Sequence, residues 1–167
     1  NKKRFLMDKG GEWQEEMNIK FAFIKGKPSR PVISIQQVWP ATSYGYQSIL
    51  NNSHLESRQL NANLDVKSMK LRSVATGHGQ EGEFIPRNHS INVNGGSTEF
   101  SWQLWKECGD NPVYPQGGTW IYDRAGWCPG APSDLREFEI MPLVNPGENF
   151  RLDYGLNTAT GDSRYIV

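Results

Sequence analysis

Apolar and polar residues alternate along much of this chain with a period of two. Met17, Ile19, Phe21 and Phe23 share one side against Asn18 and Lys20. Phe100, Trp102 and Leu104 oppose Ser101 and Gln103, and Phe150, Leu152 and Tyr154 oppose Arg151 and Asp153. Successive side chains of a strand point to opposite faces, so each stretch reads as a strand with one face buried. Weaker versions of the pattern cover residues 32–39, 67–76, 90–93 and 135–140. Asn94-Gly95-Gly96-Ser97 lies between two such stretches and has the composition of a hairpin turn. No stretch keeps a helical period with caps at both ends. The pattern predicts an all-β fold, an antiparallel sandwich or jelly roll.

Lys25-Gly26-Lys27-Pro28-Ser29-Arg30-Pro31 is polar, carries two prolines and reads as a linker. Residues 1–26 are too few for a domain and are expected to be the closing strand or tail of a preceding one, with 27–167 forming the domain itself. Tyr165-Ile166-Val167 stops as if in mid-strand. Both ends therefore predict a piece of a longer polypeptide.

A length of 167 residues is consistent with one domain. Hydrophobic residues make up only 37% of it, yet 11% are aromatic, and large rings supply core area with few residues. Eighteen basic and eighteen acidic side chains cancel to zero net charge, which argues against nucleic acid as the main partner. The longest apolar run, Phe21 to Ile24, is four residues, whereas a membrane-spanning helix needs roughly 20, so no membrane partner is expected. Cys108 and Cys128 bracket a segment rich in Gly and Pro. They read either as a disulfide, stabilising by roughly 3 kcal/mol in the chain-entropy model, or as unrelated buried thiols. Two sulfurs and the scattered His54, His78 and His89 lack paired zinc-ligand spacing, so no metal site is expected.

Candidate chemistry concentrates in two places. Residues 105–132 hold Trp105, Trp120 and Trp127 with Arg124 and several carboxylates on irregular backbone. Such a mixture suits carbohydrate, whose C–H faces stack on rings while its hydroxyls need hydrogen-bond partners. The same residues could equally serve as core, or as an internal Asp123–Arg124 ion pair. Gly77-His78-Gly79-Gln80-Glu81-Gly82-Glu83-Phe84 is the second cluster. In an extended segment Glu81 and Glu83 would face one way and set two like charges side by side, as acid/base sites do. Solvated loop charges are the plainer alternative.

Together these stretches carry a resemblance. Gly77-His78, Gly82-Glu83-Phe84, His89, Ile91 to Val93, Cys108 with Asn111-Pro112, and above all the eight-residue run Asp123-Arg124-Ala125-Gly126-Trp127-Cys128-Pro129-Gly130 resemble the C-terminal domain of the peptide-N-glycosidase F family. Residues 31–79 resemble the opening strands of that domain, and residues 11–26 the closing strand of the domain before it. The resemblance implies an antiparallel jelly-roll β-sandwich, a fold shared with copper-dependent peptidylglycine monooxygenases. It implies a cofactor-free amidase that cleaves between asparagine and the innermost N-acetylglucosamine of N-linked glycoproteins or glycopeptides, leaving aspartate and a glycosylamine.

Position by position, Glu83 matches the glutamate of the family's Cys-Ala-Glu-Trp-Cys segment and is the expected catalytic carboxylate. Arg124 and Trp127 match substrate-binding residues, with Phe84 and Trp120 as further expected substrate contacts. Cys108 and Cys128 match a family disulfide, which implies a secreted or periplasmic protein. The cysteines flanking the family's glutamate are Glu81 and Ile85 here, and the Trp of its Gly-Trp-Gly-His is Thr76. The family's primary catalytic aspartate belongs to its first domain and has no counterpart in this chain. The implied function is therefore the C-terminal half of such an amidase, completed by a preceding jelly roll. The alternatives are a noncatalytic glycan-binding module of the same fold and, more remotely, a copper site, for which the separated histidines are poorly arranged.

Overall fold

Two of the strongest alternating stretches, around Phe100–Leu104 and Phe150–Tyr154, become long strands of a four-stranded antiparallel sheet. The computed structural model describes residues 20–27, 29–96, 98–111, 119–157 and 164–167. Along the chain run β1 (Ser43–Gly45), α1 (Tyr46–Leu50), β2 (Arg58–Asn61), β3 (Lys70–Val74), β4 (Thr76–His78) and α2 (Gln80–Phe84). There follow β5 (Arg87–Val93), β6 (Thr98–Leu104), β7 (Leu135–Glu139), a short 3-10 turn (Met141–Leu143), β8 (Asn149–Leu156) and β9 (Arg164–Ile166). The long sheet has the order β2-β8-β5-β6, and the β5–β6 hairpin turns at Asn94 and Gly95, both with positive φ. Two smaller antiparallel sheets, β1-β9-β4 and β3-β7, meet where β3 and β4 follow each other with only Ala75 between them.

Both smaller sheets cover the same face of the long one. Tyr165 of β9 packs 5.0 Å from the ring of His89 on β5. Phe138 of β7 stacks 4.8 Å from Phe100 and 5.1 Å from Trp102 on β6. Ile91, Val93, Leu104, Phe150, Leu152 and Tyr154 fill the space between, all buried. The fold is thus an all-β antiparallel sandwich of the jelly-roll type. Its inner face includes two polar side chains, because β5 points Arg87 and His89 inward at the positions that alternate with Asn88 and Ser90.

The chain divides into two compact units, Asn1–Val32 and Ile33–Val167, and all the named elements belong to the second. The strand expected around residues 15–24 falls largely outside the described residues. Its described part, 20–24, lies in no strand, and Phe21 and Phe23 are exposed. Residues 32–39 also form no strand, and Val32, Ile33 and Ile35 stand open to solvent. Alternation marks a segment able to pair, and pairing needs a partner edge that these segments do not find among the described residues. The structure also holds short helical turns that the periodicity did not reveal, being too brief to complete an amphipathic repeat.

Candidate functional site

The site grows from the end of β4. After Gly79 the chain closes a single helical turn, with Glu83 N–H donating to the Gly79 carbonyl at 2.8 Å. This corrects the extended reading of the segment. On α2 the side chains of Glu81 and Glu83 diverge and take different cations. Glu81 Oε2 lies 3.8 Å from Arg87 Nη2, and Glu83 Oε1 lies 2.9 Å from Arg124 Nε.

Arg124 arrives on a loop pinned from three sides. Its backbone exchanges hydrogen bonds with Lys106 just beyond β6, at 3.0 and 2.8 Å. Ala125 donates to the Glu83 carbonyl and accepts from Gly77 N–H, each at 2.9 Å. Cys108 and Cys128 form a disulfide with Cα atoms 5.5 Å apart, and Cys108 N–H donates to Asp123 Oδ1 at 3.0 Å. Gly126, at φ +78°, lets the loop press so close to the β3–β4 junction that an added Cβ would sit 2.3 Å from the Ala75 carbonyl oxygen.

The Arg124 side chain is only 3% exposed. Its Nη2 donates to the Thr119 carbonyl at 2.6 Å and the Thr119 hydroxyl at 2.8 Å. Its guanidinium carbon lies 4.9 Å from the Trp127 ring centre and 5.3 Å from that of Phe84. The approach of Nε to Glu83 is a close ion pair off the N–H direction, not an aligned hydrogen bond, and Nη1 has no hydrogen-bond partner among the described residues. The Glu83 side chain keeps 20% of its surface open, which makes it the solvent-facing partner of a buried cation.

Trp127 is half-buried, its indole N–H donating to the Gly77 carbonyl at 3.0 Å. The His78 ring stacks on it at 5.6 Å and 27°, with Nε2 held 3.0 Å from the Thr76 hydroxyl. Burial pulls the His78 pKa below its ordinary value, against the attraction of the Glu83 carboxylate, so the ring sits in the site as neutral imidazole.

Glu83, Phe84, Arg124 and Trp127 therefore converge as the sequence leads one to expect, and the Asp123–Arg124 ion pair does not form. Trp120 is half-buried beside Thr119, one residue from the group that anchors Arg124. Thr119 is not marked in the sequence, since a lone threonine in an irregular stretch carries no signal of an arginine partner. Among the described residues no group of three His, Cys, Asp or Glu side chains could hold a metal ion, and no helix is long and apolar enough to cross a membrane.

Residues 45–164 match the family model described as Peptide-N-glycosidase F, C terminal. The chain belongs to this family. It is 27% identical over 175 residues to peptide-N(4)-(N-acetyl-beta-D-glucosaminyl)asparagine amidase F of Elizabethkingia miricola, an alignment covering 91% of this chain and 48% of that protein. Its fold matches the solved structure of PNGase F, a glycosylasparaginase from Flavobacterium meningosepticum. That match has a TM-score of 0.60 and 28% identity over 66% of this chain and 40% of the other. A structure of recombinant peptide: N-glycanase F matches with the same TM-score and coverages at 29% identity. The chain thus spans about half the length of the curated relative it matches.

Proposed function

We infer that this chain is the C-terminal half of a peptide-N-glycosidase-type amidase acting on N-linked glycoproteins or glycopeptides. A preceding jelly roll of the same polypeptide supplies the catalytic aspartate, and residues 1–26 belong to that preceding domain. The observation that carries the reading is the Glu83–Arg124 pair, a partly open carboxylate 2.9 Å from a buried guanidinium and flanked by Trp127 and Phe84. Hydrolysis of the Asn–sugar amide needs a carboxylate to orient water or substrate, and a cationic donor for the charge that grows on the carbonyl oxygen. Glu83 takes the first role. Arg124, buried and with no hydrogen-bond partner for Nη1 among the described residues, supplies the positive charge beside the reacting carbonyl and holds Glu83 in place. Trp127 and Trp120 contact the sugar, and no cofactor is required. The Cys108–Cys128 bridge supports a secreted or periplasmic location, since disulfides persist in oxidising compartments.

The test uses the intact polypeptide with its upstream region. Glu83→Gln should lower glycosylamine release from an N-glycopeptide by about a hundredfold or more, a typical contribution of a positioned acid or base, while glycopeptide affinity changes little. Full activity in that variant rejects the assignment. A second reading, a noncatalytic glycan-binding module, is favoured by Thr76, which stands where the family has Trp and is engaged with His78. Glycopeptide binding without any cleavage by the unaltered protein would select it.

A further inference from the structure

Away from Glu83, residues 39–58 enclose a cleft of about 360 Å³, at the small end of the range typical of ligand sites. Trp39 forms part of its wall, with its indole N–H donating to the Glu56 carbonyl at 2.8 Å and its ring meeting buried Tyr154 edge-on at 6.0 Å. Tyr44 lies 5.5 Å from the exposed ring of His54, and its hydroxyl donates to the Pro40 carbonyl. Also lining the cleft, Arg58 Nη2 and Glu56 Oε1 pair at 2.7 Å with 43% and 47% of their side chains exposed. Leu55, which lines the cleft between His54 and Glu56, is largely buried at φ +54°, a left-handed conformation unfavourable for a residue with a branched side chain. Such conformers persist only where the surroundings impose them, and they gather at ligand sites.

We propose that this cleft binds a neutral sugar ring of the glycan, at a subsite separate from the Glu83 cluster. The two charges cancel, so the cleft has no surplus field to select a phosphate or a cation. What it offers is aromatic surface beside a planar donor–acceptor pair, which matches a ring with C–H faces and vicinal hydroxyls. It shares no residue with the Glu83 cluster, and β9 separates β1 at the cleft from β4 beneath Glu83. The ligand class rests on the glycan reading above, but the subsite does not depend on hydrolysis.

The nitrogen-labelled chain is titrated with mannotriose and with N,N′-diacetylchitobiose, read at the indole N–H groups of Trp39 and Trp127 and the ring of His54. A saturable shift at Trp39 and His54 with either sugar supports the subsite. Arg58→Ala should weaken that binding about tenfold or more, as loss of a charged hydrogen-bond donor does, while Glu83→Gln leaves it unchanged. If Arg58→Ala impairs folding, His54→Ala at an exposed position serves instead, read at Trp39. Shifts confined to Trp127, no saturable shift at Trp39, or undiminished affinity in a folded Arg58→Ala overturn the proposal. Amide cleavage by the intact polypeptide without binding at Trp39 removes the subsite alone. Binding at Trp39 without cleavage removes the amidase reading alone.

Discussion

A Cβ added to Gly77 would stand 1.9 Å from the carbonyl oxygen of Gly82. Strand β4 and the turn α2 touch backbone to backbone at that point, and the same Gly77 also accepts the Trp127 indole and donates to Ala125. Contact this close has no room for a methyl group, so the junction holding Glu83 against Arg124 depends on the absence of a side chain.

Gly77→Ala should therefore destabilise the protein by about 3 kcal/mol, the upper part of the range for overpacking a close contact. Gly109→Ala, where nothing lies within 4 Å of the added atom, should change stability little. Urea unfolding of both variants checks the contrast, and equal effects would mean the junction relaxes freely.

Arg124→Lys should fail as a conservative change. A compact ammonium cannot reproduce the separate guanidinium nitrogens that meet Thr119 and Glu83 or its contacts with the Trp127 and Phe84 rings. A loss of about 2–4 kcal/mol is expected, near that for breaking a buried ion pair. Glu83→Gln, at the more open end of the pair, should cost less than the lysine variant. Thermal melts of the two variants and the double variant report the coupling, and additive effects would show that the pair contributes none.

His89 ties stability to pH. Burial, aided by the Arg87 cation, pushes its pKa down to about 3, and its Nδ1 is hydrogen-bonded to the Tyr154 hydroxyl. An unfolded histidine takes up its proton near pH 6.5, so the unfolded chain binds more protons between these two values. The contribution of His89 is thus fully present above about pH 6.5 and is lost progressively as pH falls toward 3, on the order of 5 kcal/mol in all. His78, lowered in the same sense, adds to the trend. Unfolding free energies between pH 7.5 and 5 should fall before most carboxylates protonate, and His89→Asn should flatten the slope.

Removing the bridge with Cys108→Ser and Cys128→Ser should cost roughly 3 kcal/mol, the closure entropy of a loop of this size. The loop from Asp123 to Trp127 should loosen with it, because Cys108 also holds Asp123. Calorimetry gives the first effect, and weakened glycopeptide binding in the still-folded variant gives the second.

Strands β6 and β8 are legible from residue order because each buries one face, and burial of one face writes itself as alternation, whereas β7 is only weakly so, with Leu135 exposed and Arg136 on the side of Phe138. Strand β5 is legible only from Ser90 onward. Its first inward positions are Arg87 and His89, polar residues that break the apolar rhythm although they are buried. β1, β2 and α2 are too short for any period to declare them. The run from Asp123 to Gly130 marks where chemistry should lie, and Glu83 is recognisable from its neighbours in the family pattern.

Local order in this polymer dictates which segments are able to pair and which side chains bring chemistry. Partners are settled otherwise. Whether Glu81 or Glu83 meets Arg124, whether residues 32–39 find an edge to join, and whether Trp39 and Arg58 come to frame one cleft depend on contacts between segments far apart along the chain. Those contacts form only when whole sheets stack and a few glycines let backbones touch, and no short window of residues encodes a distance between segments it does not contain.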